Sequence, residues 1–172
     1  MVRGGTLPYE PYEDPATPDF VCFSHLRWDF VTQRPQHLLK RAAKERRTFF
    51  VEEPVFDASG EARLEIGLRE EGVYVVVPHL PPQLAEEGAE EAQRQLIDAL
   101  FSNFAIRDAI FWYYTPMALA FSRHLKPRLV VYDCMDELSA FEGSPPALRE
   151  HEAELFNLAD LVFTGGQSLF EA

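Results

Sequence analysis

Six short apolar runs rich in β-branched and aromatic residues set the limits on what this chain can fold into. They are Phe20–Ser24, Thr48–Val51, Val73–Val77, Ile110–Tyr114, Leu129–Tyr132 and Leu161–Phe163. None alternates cleanly between apolar and polar, so each reads as a strand buried on both faces, as in a parallel sheet covered by helices. Helix-length segments stand between most of them, at Pro35–Glu45, Glu86–Phe104, Met117–His124 and Pro146–Leu158. Pro35 suits a first helical turn, where its missing N–H costs nothing. The 52–72 connection carries no clear signal beyond a short helix around Glu61–Leu68. Strand and helix repeated with right-handed crossovers predict a Rossmann-like three-layer α/β/α sandwich around a mostly parallel six-stranded sheet.

With 172 residues and 47% hydrophobic content the chain is expected to form one globular domain, spanning 20–172. Residues 1–19 carry Pro8, Pro11, Pro15 and Pro18 among acidic residues, and an extended, poorly ordered leader is expected there. The first residues lack a secretory apolar core, and no apolar run approaches the ~20 residues of a membrane helix. Cys22 lies in the first strand and Cys134 just beyond the fifth, and the common doubly wound order puts another strand between those two, too far apart for a disulfide. Both read as reduced thiols in a cytoplasmic protein. At the other end, Thr164–Ala172 leaves the last strand, turns through Gly165 and Gly166, and starts a helix cut after about one turn, as expected of a piece of a longer protein.

The net charge of −12 argues against a nucleic-acid partner. Six of the 16 basic residues nevertheless fall between Arg34 and Arg47, on an amphipathic helix whose apolar side is Leu38, Leu39, Ala42 and Ala43. Two readings stay open, a solvated basic face or peripheral docking to anionic lipid at the inner face of the membrane.

Ligands in an open parallel sheet sit beyond the carboxyl ends of the strands. After the first strand comes a segment crowded with His25, Arg27, Trp28, Asp29, Gln33 and Arg34, residue types that bind ligands or move protons. A purely structural version has Trp28 packing and Arg27 or Arg34 capping a neighbour. The other strand ends supply Glu52-Glu53-Pro54, Pro78-His79, Tyr114 and Thr115, then Asp133, Asp136 and Glu137, then Thr164, Gly165 and Gly166. If the first and fourth strands are neighbours, the sheet's switch point lies between the His25–Asp29 loop and Tyr114-Thr115. Tyr114 could flank a sugar there. Asp133 and Asp136 are the candidate catalytic carboxylates, because a half-shielded strand-end acid can hold a raised pKa and act as a general base. Capping of the following helix is the competing role. The His25–Asp29 and Asp133–Asp136 segments are expected to converge, with one strand between them. Gly165-Gly166 would allow close backbone approach and offer N–H groups to an anion. No strand is followed by G-x-G-x-x-G or by a phosphate loop, and the five histidines have no metal-site spacing.

The run Trp28-Asp29-Phe30-Val31-Thr32-Gln33-Arg34-Pro35-Gln36-His37-Leu38 resembles the W-x-x-x-x-Q-R-P-x-H-L signature that follows the first strand in a group of bacterial glycosyltransferases. Tyr132–Glu137 and Phe163–Gly166 are similar to later segments of the same domain, so the likeness covers roughly 19–172. The resemblance implies the N-terminal, acceptor-side domain of a two-domain GT-B glycosyltransferase of the glycogen-synthase-like group, acting in cell-surface or storage glycan assembly. It implies a nucleotide-sugar donor held mainly by a C-terminal domain with an E-x7-E motif, a glycan or lipid-linked acceptor, no metal and no further cofactor. Without that second domain no turnover is expected. Relatives carry a Gly-rich loop where this chain has His25-Leu26-Arg27-Trp28, so no donor-phosphate role transfers there. Relatives with the signature also occur beside or fused to UDP-galactopyranose mutase modules, though nothing here resembles a flavin fingerprint. A non-catalytic Rossmann-like binding or regulatory module is the alternative.

Overall fold

The computed structural model describes residues 16–85, 87–135 and 146–165. Among the described residues, seven strands form one sheet: β1 (Asp19–Phe23), β2 (Thr48–Val51), β3 (Arg63–Leu68), β4 (Val73–His79), β5 (Ala109–Tyr113), β6 (Leu129–Cys134) and β7 (Leu161–Thr164). Four α-helices accompany them there: α1 (Arg34–Ala42), α2 (Ala89–Asn103), α3 (Leu119–Ser122) and α4 (Pro146–Leu158). The spatial order is β3-β4-β2-β1-β5-β6-β7, with β3 antiparallel to β4 and every other pairing parallel. The architecture is the expected Rossmann-like α/β/α sandwich, and β1 and β5 are neighbours at the switch point.

Two expectations need correction. The sheet has seven strands, not six, and the short helix expected around Glu61–Leu68 is the extra one. Arg63-Leu64-Glu65-Ile66-Gly67-Leu68 turns Leu64 and Ile66 onto the core in strict alternation, the period of a half-buried strand. A turn at Arg69–Gly72 returns the chain to β4. The Gly72 N–H donates to the Arg69 carbonyl at 2.9 Å and Gly72 takes φ +84°, a left-handed conformation that glycine adopts freely. The leader expectation also shifts. Residues 1–15 lie outside the described residues, but Asp19 already belongs to β1 and is buried beneath Arg47, which reaches its two oxygens at 2.7 and 2.6 Å.

Alternate residues of each central strand enter two separate cores. Val21, Phe23, Phe49, Phe111 and Tyr132 face α2, α3 and α4, while Phe20, Cys22, Phe50 and Tyr114 face α1. Continuous apolar runs were needed because both faces are covered. The coverage is unequal: among the described residues α1 alone lies on its side. Cys22 and Cys134 are buried on strands separated by β5 and form no disulfide.

Candidate functional site

The segment between β1 and α1 is a folded cap stapled to the sheet. Trp28 is 6% exposed and packs edge-on against Phe50, with ring centroids 5.1 Å apart. It is core, not a surface on which substrate could stack. The Trp28 N–H donates to Glu52 Oε1 at 2.7 Å, and Arg27 Nη1 donates to Glu52 Oε2 at 2.9 Å and to the Glu53 carbonyl at 2.6 Å. Gln36, buried on α1, donates through Nε2 to the Trp28 and Val31 carbonyls, both at 3.0 Å. Its Oε1 accepts from the backbone N–H of Gln33, the N-cap of α1, at 2.9 Å. One side-chain amide thus satisfies three backbone groups of a loop that no sheet ladder reaches.

These bonds decide where the sequence-derived candidates go. Arg27 is held against β2. Asp29 is bonded by Arg69 at 3.1 and 2.6 Å, beside the turn after β3. Arg34 instead lies on the other flank, with Nη2 3.2 Å from Asp133 Oδ1. Asp133 is thus met by Arg34, the first residue of α1, whereas Arg27 and Asp29 of the His25–Asp29 loop bond to Glu52 and Arg69. His25 is half-buried just past β1, and Gln33 is exposed. Tyr114 is buried in the α1-side core. Asp136, Glu137 and Gly166 lie outside the described residues. At Gly165 a Cβ would come within 2.4 Å of the Met135 carbonyl oxygen. The close approach is to the neighbouring backbone, and the Gly165 N–H, expected to serve an anion, is taken by the Cys134 carbonyl at 2.9 Å.

Two hollows of about 340 Å³ each flank the sheet. The first opens at the switch point, beyond the carboxyl ends of β1, β2 and β5. Its polar lining is Ser24, Glu52, Glu53, Glu90, Gln93 and Thr115; its apolar walls include Phe56, Met117 and Phe121. Of these, Thr115 was a sequence candidate. Glu52 and Glu53 were visible only as part of the strand-end rim, and Gln93 on α2 gave no signal. The Glu53 carboxyl is raised above its ordinary value, because the surrounding walls disfavour its charge more than Arg27 supports it. The second hollow lies beside α1 and is lined by Arg34, His37, Arg41, Trp112, Asp133 and Phe163. Asp133 has no exposed surface, and its carboxyl is also raised: burial opposes the charge more than Arg34, Tyr114 and Trp112 favour it. Burial and the Asp133 charge push the Cys22 thiol up as well.

The basic helix is less free than its composition suggests. Lys40 pairs with Glu71 at 2.6 Å and Arg47 with Asp19. Arg34, His37, Arg41 and Lys44 form the exposed stripe. No helix among the described residues is long and apolar enough to cross a membrane, and no cluster of three or more His, Cys, Asp or Glu side chains there is arranged to hold a metal ion.

Comparison with family models and with curated proteins gives no match. Among solved structures the chain is similar to one described as trehalose-6-phosphate from E. coli bound with UDP-2-fluoro glucose. Identity is 13% and the TM-score 0.49, over 84% of this chain and 39% of that one. The chain therefore spans about two fifths of that protein's length.

Proposed function

We propose that this domain is the acceptor side of a GT-B-type glycosyltransferase, with the acceptor sugar seated in the switch-point crevice. The observation that carries the reading is the crevice's lining, which is acidic and hydroxyl-rich with apolar walls. Three carboxylates repel a nucleotide diphosphate, but they accept hydrogen bonds from sugar hydroxyls. Phe56, Met117 and Phe121 offer a surface to the C–H face of a pyranose. Glu53 lines the crevice at the end of β2 and has no side-chain ion pair among the described residues, so it is the carboxylate assigned to accept the proton of the attacking hydroxyl. Glu52 is already engaged by Trp28 and Arg27, so it holds the wall. Asp133, the base suggested by sequence, is fully buried beside the other hollow, and its part is to fix Arg34. The nucleotide-sugar donor is assigned to a second domain, as the sequence resemblance implies. Basic groups and helix N-termini there would stabilise the leaving diphosphate.

Saturation-transfer NMR of the 172-residue chain against mono- and oligosaccharides and UDP-sugars tests the reading. Saccharides are expected to bind, UDP-sugars to bind weakly if at all, and Ala120→Phe, which fills the crevice wall, to abolish saccharide binding. Tight UDP-sugar binding, absence of any saccharide signal, or indifference to Ala120→Phe overturns it.

A further inference from the structure

We propose that the hollow beside α1 is a second ligand site, independent of the crevice, and that it takes a phosphorylated sugar. Arg34, His37 and Arg41 stand at i, i+3 and i+7 of α1 and so share one side of the helix. Among the described residues neither His37 nor Arg41 has an ion-pair partner. The hollow is also lined by an aromatic pair: Trp112 and Phe163 stack with centroids 5.5 Å apart and planes 18° off parallel, and Phe163 is 42% exposed. Asp133 lines it too, with Arg34 Nη2 at 3.2 Å and with Trp112 Nε1–H and the Tyr114 hydroxyl near enough to support its charge. None of these contacts closes a hydrogen bond of full geometry, so the buried cluster has bonding capacity to spare.

The three features ask for three different parts of one ligand. Guanidinium groups bind phosphate by paired, charge-assisted hydrogen bonds. Flat aromatic faces suit the C–H face of a sugar ring. A carboxylate needs a hydroxyl donor. Arg34 covers Asp133 but is itself half-exposed. Its guanidinium can swing to a phosphate and leave the carboxylate to a sugar hydroxyl. Inorganic phosphate alone would meet Asp133's negative charge and leave the aromatic pair unused. A free sugar would leave the cationic stripe unmatched. A volume of about 340 Å³ lies in the range of small-ligand pockets.

Calorimetry with hexose 1- and 6-phosphates, inorganic phosphate, free hexose and vesicles containing anionic phospholipid tests this on the 172-residue chain. At least one hexose phosphate is expected to bind about tenfold more tightly than phosphate or hexose alone. Arg41→Gln, an exposed change that leaves the fold alone, should weaken that binding about tenfold. Asp133→Asn should weaken hexose phosphate but not inorganic phosphate. In an Ala120→Phe background, where the crevice is closed to saccharide, the preference for hexose phosphate should persist, so failure here is separable from failure of the acceptor reading. The proposal falls if no hexose phosphate outcompetes phosphate, or if Arg41→Gln binds as the parent does. It also falls if only the anionic vesicles bind, which would make the stripe a membrane surface.

Discussion

Replacing Glu52 should loosen the whole segment between β1 and α1, by an amount that can be worked out bond by bond. Its carboxylate is 6% exposed and accepts two hydrogen bonds, from the Trp28 N–H and from Arg27. The first is a buried, charge-assisted bond to backbone, worth roughly 1.5–3 kcal/mol. The second joins a guanidinium that is 39% exposed, so solvent screening holds it to about 1 kcal/mol or less. Arg27 also keeps its bond to the Glu53 carbonyl in the variant. Glu52→Ala should therefore cost about 2–3 kcal/mol, because the Trp28 N–H is left buried without an acceptor. Glu52→Gln should cost nearly as much. An amide offers one oxygen, and in either orientation its NH₂ faces one of the two donors. For a chain of this size, 2–3 kcal/mol lowers the Tm by roughly 5–10 °C. Urea unfolding followed by tryptophan fluorescence measures both variants, and a cycle with Arg27→Gln should return a coupling of about 1 kcal/mol or less. Glu52→Gln within about 0.5 kcal/mol of the parent would refute the claim that both donors depend on both oxygens.

Gly165→Ala should cost about 1–3 kcal/mol by differential scanning calorimetry, since a Cβ 2.4 Å from the Met135 carbonyl oxygen forces β7 away from β6; a neutral result would show that this sheet edge yields freely. Asp133→Asn should stabilise the protein at neutral pH and not in acid. The folded state holds the Asp133 proton more tightly than the unfolded chain does, so stability falls as pH rises from the ordinary carboxylate value, about 4, through the raised one. Denaturation midpoints of parent and variant should then converge below about pH 4, and a constant difference across pH rejects the burial argument.

The layers and most strands were legible because a doubly covered sheet writes continuous apolar runs into its sequence. β3 was not, because an edge strand with one covered face shows only Leu64 and Ile66 inward. Those two amid Arg63, Glu65 and Gly67 are easily taken for a helix turn. At the site, the strand-end rule located the switch point and Thr115. It could not say which way each side chain turns. Arg27 and Asp29 are two residues apart, yet their partners Glu52 and Arg69 lie just past the ends of different strands, and only the folded sheet brings them near. Gln36 left no trace of its role, since a glutamine that serves three backbone groups looks in sequence like any polar residue of a first helical turn.

The unequal covering of the two sheet faces has a consequence for amide exchange. Strands β2, β1 and β5 lie between helices and should open only with global unfolding. β7 is at the edge, with Leu161, Val162 and Phe163 each at least 40% exposed, so it belongs to the part of the molecule that opens locally. Phe163 is also a wall of the hollow beside α1. A ligand seated there would slow exchange first in β7, a strand that supplies one ring to the hollow and none of its charges.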